Sequence, residues 1–401
     1  MTQFDPCKDM FFGLRGPVGD IAGLKYLVVG AGFYGAVMAE RIASVLDERV
    51  LVIDVRNHIG GNSFSYTDRR TNTEVHAYGS HIFHTSNEAV WNYLTSFEKF
   101  NSYVHKVYTV HDGKVYQMPI NLHTINQFFG RSFSPAEARE FIQDQVRHDL
   151  AEGPDSLERK AISLVGKGLY GALIKGYTRK QWGRNPAELP AAIIKRLPVR
   201  FTYDDRYFSD RWEGQPVGGY GALFGRMLGH RNISLHLGVD FFSMRSRIPK
   251  DCRVIYTGPI DRYFDYRLGV LGWRTIDFKW RSEPTDDFQG TSVMNYADLD
   301  VPYTRIHEFK HYHPERTCPV QETIICEEYP LDAGKNDDPY YPVDADADRR
   351  LFSMYKELAR AVPKTVFGGR LGNYTYIDMH QAVAMALGDF DKLRAGLAGR
   401  P

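Results

Sequence analysis

The segment Tyr26-Leu-Val-Val-Gly30-Ala-Gly32-Phe-Tyr-Gly35 restricts the fold of this 401-residue chain more than any other stretch. Four β-prone residues run into Gly30-x-Gly32-x-x-Gly35, and Val37, Met38, Ile42, Val45 and Leu46 then follow with helical spacing. Each glycine has a physical use in that setting. Gly30 makes a tight turn, Gly32 lets a pyrophosphate approach the backbone, and Gly35 lets helix and strand pack closely. The helix start adds free N–H groups and a partial positive charge for phosphate. A second strand, Arg49-Val-Leu-Val-Ile-Asp54, closes a right-handed βαβ unit, and Asp54 stands where an acid accepts ribose hydroxyls.

Two further glycine clusters favour FAD over NAD as the dinucleotide. Ile59-Gly60-Gly61-Asn62 follows the ribose acid, and Phe367-Gly-Gly-Arg370-Leu-Gly372 precedes a helix expected near residue 378. Arg253–Thr257 and Thr365–Phe367 read as buried strands returning to the same sheet. The fold class is therefore α/β: a Rossmann-like FAD-binding domain built from discontinuous segments (25–86, 216–266 and 363–392), with two other parts. A helical insertion occupies 87–99 and 121–185, where Ser134-Pro-Ala-Glu137 is a capping box. An antiparallel β-sheet domain occupies 100–120, 186–215 and 267–345, with strands at about 273–281, 291–297, 304–312 and 322–328. It begins with a hairpin turning at Asp112-Gly113, residues that supply the positive φ angles of a tight turn. Asp346–Val362 has the apolar spacing of an amphipathic helix, and residues 1–24 read as a poorly ordered N-terminal extension.

Composition narrows the partners. Lys+Arg 50 against Asp+Glu 49 leaves a net charge of +1, so no global field draws the chain to nucleic acid. The longest uncharged run, Tyr26–Ala39, is too short for a membrane span. Cys7, Cys252, Cys318 and Cys326 form no C-x-x-C pair, which fits a reducing cytoplasm and argues against a disulfide framework or cysteine zinc site. His76, His81 and His84 match no common zinc spacing, so no metal is expected, and His311 and His313 read as sharing one face of a strand. Tyr, at 25 residues, has the largest share of an aromatic content of 13%, enough to fill a core and also line a site.

Longer motifs carry a family resemblance over residues 25 to 390. They include His58-Ile-Gly-Gly-Asn62, Tyr78-Gly-Ser-His-Ile-Phe-His84, Gly176-Tyr-Thr-Arg-Lys-Gln-Trp-Gly183, Lys195-Arg-Leu-Pro-Val-Arg-Phe201, Tyr203-Asp-Asp-Arg-Tyr-Phe208, Met294-Asn-Tyr296, Val301-Pro-Tyr-Thr-Arg305, Pro339-Tyr-Tyr-Pro342 and Gly369-Arg-Leu-Gly372. With them the chain resembles bacterial UDP-galactopyranose mutase. The resemblance implies interconversion of UDP-galactopyranose and UDP-galactofuranose through a covalent sugar adduct at N5 of reduced FAD, without net redox change. It also implies an external reductant such as NAD(P)H and a homodimer.

Carried over residue by residue, it makes Arg196 and Arg305 the diphosphate-binding arginines and places His81 near flavin N5. Guanidinium suits such a role because it stays charged and meets phosphate oxygens as a fork. Tyr177, Trp182, Tyr207, Asn295, Tyr341 and Tyr376 become substrate contacts, with Tyr340 the neighbouring candidate for Tyr341. Gly30, Gly32, Gly35, Asp54, Gly61, Asn62, Arg370, Asp378 and Met379 become cofactor contacts. Two departures stand out. Ser80 replaces a proline common in relatives, which predicts a looser loop beside the flavin. Leu173 and Ile174 replace a Phe-Phe pair, which predicts weaker stacking on uridine. The competing readings are an FAD-dependent amine-oxidase-like oxidoreductase and a flavin-binding scaffold without turnover. Paired phosphate-type arginines among clustered tyrosines favour the mutase.

Overall fold

The computed structural model describes residues 18–149, 156–191, 193 and 198–398. Its first sheet has five parallel strands in the spatial order Thr365–Phe367, Arg253–Tyr256, Tyr26–Val29, Val50–Asp54, Ile233–Leu237. The central strands are buried on both faces, which is why they read as unbroken apolar runs. Val28, Val52 and Ile255 pack against the helices Phe33–Val45, Gly219–Leu228 and Met379–Ala398. Leu27, Leu51 and Val254, one residue out of phase, pack on the opposite face with Phe241, Tyr263 and Tyr355. Val18 and Ile21 are buried in that second cluster, and Arg247 donates to the carbonyls of Val18 and Gly19. The described end of the N-terminal extension is thus packed, and residues 1–17 lie outside the described part.

The second sheet has seven strands in the order Tyr341–Pro342, Trp273–Glu283, Thr323–Asp332, Arg305–Glu308, Val293–Tyr296, Val107–His111, Lys114–Met118. The expected hairpin is present, with Asp112 at φ 48° and Gly113 at φ 67°. One expectation needs correction. The sheet is antiparallel except where Val293–Tyr296 runs parallel to Val107–His111, because these strands come from distant parts of the chain and no tight turn dictates their direction. A second correction concerns His311 and His313. The strand ends at Glu308 and Phe309–Tyr312 is a 3₁₀ turn, so the two histidines share no strand face. Phe309 and Tyr312 are fully buried there, and their burial outweighs continuation of the ladder.

The helices Leu122–Phe129, Pro135–Asp149 and Leu157–Leu169 cover one face of this sheet and share its apolar core. The Ser134 capping box is made in both directions: Ser134 N–H donates to Glu137 at 2.8 Å and Glu137 N–H to Ser134 Oγ at 3.4 Å. After Leu169 the chain passes through a π-helical turn, Tyr170–Lys175, into the helix Gly176–Trp182. Leu173 and Ile174 point from that turn into the core, at 2% and 4% exposure, so they stabilise the insertion and offer no surface to a base. No helix among the described residues is long and apolar enough to cross a membrane.

Candidate active site

A cleft of about 790 Å³ opens where the first strand turns into the first helix. Gly30, Gly32, Gly35, Asp54, Gly61, Asn62, Arg370, Asp378, Met379 and His81 all line it. The glycines are there for space. A Cβ on Gly35 would lie 1.9 Å from the Gly30 carbonyl oxygen, and one on Gly30 (φ +104°) would lie 1.9 Å from Thr257 Oγ1. Gly61 (φ +56°) faces Gly32 so closely that its Cβ would stand 3.2 Å from Gly32 Cα, leaving a bare backbone cradle. The helix starting at Phe33 has no side-chain cap and no acid in its first turn, so its N–H groups remain for an anion. Asp54 accepts the N–H groups of Ala31 (2.7 Å) and Arg56 (2.9 Å), and its two oxygens keep lone pairs for hydroxyl donors.

The second sheet lies against the His81 loop, where a Cβ on Gly79 would stand 2.5 Å from Glu328 Oε1. Its register lines up Tyr116, Thr109, Asn295, Arg305, Glu328 and Phe278 as successive cross-strand neighbours on five junctions. Directly opposed residues share a face, so segments almost 200 residues apart become one polar strip. In it the Arg305 side chain is 26% exposed and that of Glu328 only 4%, so the arginine keeps accessible surface while the carboxylate is buried beside it. Arg305 donates to the Tyr177 hydroxyl, and its Nε stands 3.2 Å from Glu328 Oε2, off the hydrogen-bonding line. The Asn295 side-chain Oδ1, also in the strip, accepts no hydrogen bond among the described residues. Burial disfavours the Glu328 carboxylate, yet Arg305 and His307 outweigh burial and hold its pKa at about 2.

Tyrosines gather around Arg305. Tyr341 and Tyr376 stack with ring centres 5.5 Å apart, and Trp182 lies 6.4 Å from Tyr341. Arg370 covers Tyr376 at 4.5 Å and donates to the carbonyls of Tyr340 (3.0 Å) and Ile377 (2.7 Å), fixing the two tyrosine segments together. Tyr340, 5% exposed, turns into the interior against Phe278, whereas Tyr341 packs between Trp182 and Tyr376. Tyr207 packs edge-on to His105 at 5.4 Å. Arg196 lies outside the described residues.

Lys180 joins these walls. Its ammonium donates to four backbone carbonyls, Tyr296, Asp298, Val301 and Tyr303, at 2.8–2.9 Å, so the helix bearing Tyr177 and Trp182 is clasped to the turn between Asn295 and Arg305. Burial lowers its pKa to about 8, which leaves it charged at neutral pH. Lys180→Met is expected to cost about 1.5–3 kcal/mol of unfolding free energy in urea, the range for hydrogen bonds to a charged group.

The His81 loop is better anchored than its sequence implies. Its N–H donates to His76 Nδ1 (3.1 Å), and its carbonyl accepts from Tyr220 Oη (3.0 Å) and Gln215 Nε2 (3.1 Å). The looseness expected from Ser80 is not seen, because the Ser80 hydroxyl bonds both His307 and Tyr312. Burial pulls the His81 pKa down to about 4, and Nδ1 donates to the Gly79 carbonyl (2.9 Å), so Nε2 is an acceptor in the cleft. His84 instead meets Asp378 and His380, with ligand-type atoms within 4.8 Å of one another, while Asp210 holds its Nδ1 at 2.6 Å. Residues that sequence reasoning missed include Arg56, which grips Asn62 (2.8 Å) and stacks over Tyr78 (4.3 Å), and Glu328, whose only sequence signal is its place as the second of two acids after the apolar run Ile324-Ile-Cys326.

A parallel sheet whose first strand–glycine–helix turn opens on such a cleft defines a Rossmann-type dinucleotide-binding protein. Residues 28–97 match the NAD(P)-binding Rossmann-like domain, and residues 172–376 match the model described as GLF, UDP-galactopyranose mutase. The chain belongs to the UDP-galactopyranose mutase family. It is 43% identical to a probable UDP-galactopyranose mutase of Klebsiella pneumoniae over 93% of this chain and 96% of that one. It is 40% identical to a dTDP-fucopyranose mutase of Escherichia coli over 90% of this chain and 96% of that one. A crystal structure of reduced UDP-galactopyranose mutase shares the fold at a TM-score of 0.69 and 14% identity, covering 94% of this chain and 95% of that one. Membership implies a flavin cofactor, and the glycine cradle, open helix start and cleft volume fit one.

Proposed function

We propose that the chain is an isomerase that interconverts UDP-galactopyranose and UDP-galactofuranose with FAD in its reduced form, kept so by an external reductant such as NAD(P)H. The observation that carries this reading is the polar strip packed against the loop of His81, which lines the cofactor cleft: the Arg305 side chain stays 26% exposed beside a buried Glu328. A departing diphosphate needs fixed positive charge more than a side-chain nucleophile, and Arg305 supplies it with the Tyr177 hydroxyl alongside. Asn295 offers its unpartnered carbonyl oxygen to an N–H or O–H of the nucleoside. Tyr341, Tyr376 and Trp182 cover the opening and exclude water from the reacting sugar. Neutral His81 presents Nε2 as a hydrogen-bond acceptor on the cofactor side. The bound flavin, in its reduced form, supplies at N5 the nucleophile for the anomeric carbon.

The test incubates FAD-loaded protein with UDP-galactofuranose, with and without dithionite, and separates the products by chromatography. UDP-galactopyranose is expected only with dithionite. No product under reduction rejects the mutase reading, and equal product from oxidised protein rejects the N5 role. Because a relative of 40% identity acts on dTDP-fucopyranose, that sugar nucleotide forms a parallel arm, and faster turnover there would reassign the substrate.

A further inference from the structure

Behind Arg305 runs a chain of buried polar side chains that the proposed reaction leaves unused. One Glu328 oxygen faces Arg305 and the other accepts from His307 Nε2 at 2.6 Å. An ionised carboxylate only accepts, so Nε2 carries the His307 proton and Nδ1 is left to accept the Ser80 hydroxyl. The Ser80 oxygen in turn accepts from Tyr312. His307 and Tyr312 are both 0% exposed, so neither ring has room to turn away. Ser80 immediately precedes His81. Gly79, at φ +78°, rests so near the carboxylate that a Cβ would stand 2.5 Å from Glu328 Oε1. The His81 loop therefore touches Glu328 twice, directly through Gly79 and through His307 by way of Ser80.

Resting on the functional reading above, we propose that Ser80 and His307 are positioning residues that couple occupation of Arg305 by a diphosphate to the geometry of the His81 loop at the cofactor cleft. A diphosphate on Arg305 competes with Glu328 for the guanidinium. The carboxylate then depends more on His307 and shifts towards it, and the immobile ring transmits the shift to Ser80. The coupling uses no new charge and no bond-making step. It works because one carboxylate pairs with a cation through one oxygen and accepts a hydrogen bond through the other, on the same sheet face.

The experiment uses FAD-loaded protein and UDP, reading affinity by calorimetry and the flavin by its UDP-induced difference spectrum. Wild type is expected to bind UDP with a clear spectral shift. In Ser80→Ala the shift falls about threefold or more while UDP affinity stays within about twofold, the size of effect typical of residues along a coupling network. Ser80→Thr, which keeps the hydroxyl, restores the shift. His307→Gln, which keeps a donor for Glu328 and lacks the ring acceptor for Ser80, reproduces the loss. A full shift in Ser80→Ala, or the same loss in Ser80→Thr, overturns the coupling. Wild type that binds UDP without any flavin response overturns the coupling alone, and wild type that does not bind UDP overturns the functional reading with it.

Discussion

Arg305→Ala is expected to lower kcat/KM for the sugar nucleotide by about 10²–10³, equivalent to about 2.7–4 kcal/mol of lost transition-state stabilisation. Arg305 is the charged end of the polar strip, held by Tyr177 and backed by Glu328. Burial disfavours its charge, but the tyrosines and Glu328 around it raise its pKa well above the ordinary value, so it enters every turnover as a cation. Alanine also strands a buried carboxylate that keeps its hydrogen bond from His307 but loses its cation, and removing one partner of a buried pair costs roughly 3–5 kcal/mol of stability. Thermal unfolding must therefore accompany the kinetics. Arg305→Lys separates the effects: it keeps a charge for Glu328 but loses the fork, so stability should recover more than kcat/KM does. Near-normal kcat/KM in a folded Arg305→Ala protein would remove the diphosphate role.

Gly35→Ala should be the most damaging single-methyl change in the cofactor unit. The added Cβ would lie 1.9 Å from the Gly30 carbonyl oxygen and 3.1 Å from Val28 Cγ1. The first of these is backbone in the turn that shapes the cleft, so relief requires the helix Phe33–Val45 to lift from its sheet. Overpacking of this kind costs about 1–3 kcal/mol and sometimes more. The purified protein is expected to lose its yellow colour as well as melting temperature, since the same shift moves the helix N-terminus away from phosphate. Gly225→Ala is the control: it lies within the helix Gly219–Leu228 with nothing within 4 Å of a new Cβ, and should be neutral or slightly stabilising. Equal flavin retention in both variants would show that the close approach at Gly35 is dispensable.

The glycine-lined cleft was legible in the sequence because its signals are local. Gly30, Gly32 and Gly35 act within one turn, Asp54 ends the next strand, and Ser134 and Glu137 cap a helix three residues apart. Local geometry also exposed the Asp112-Gly113 turn. Legibility failed where pairing partners lie far apart. No local pattern states that Val293–Tyr296 lies parallel to Val107–His111, or that the chain leaves strand geometry at Phe309. Ser80 is the sharpest case. Read alone it predicts a loose loop, and only the arrival of His307 and Tyr312 from over 200 residues away makes its hydroxyl an anchor.

Sequence by itself therefore determined the Rossmann-like unit and its glycine turn, because strand, turn and cap preferences act over a few residues. Tertiary structure decided which of those residues meet. Cross-strand register put Asn295, Arg305 and Glu328 in one row, and burial then made that row an electrostatic device, since a carboxylate shielded from water must be matched by the groups that pairing delivers to it.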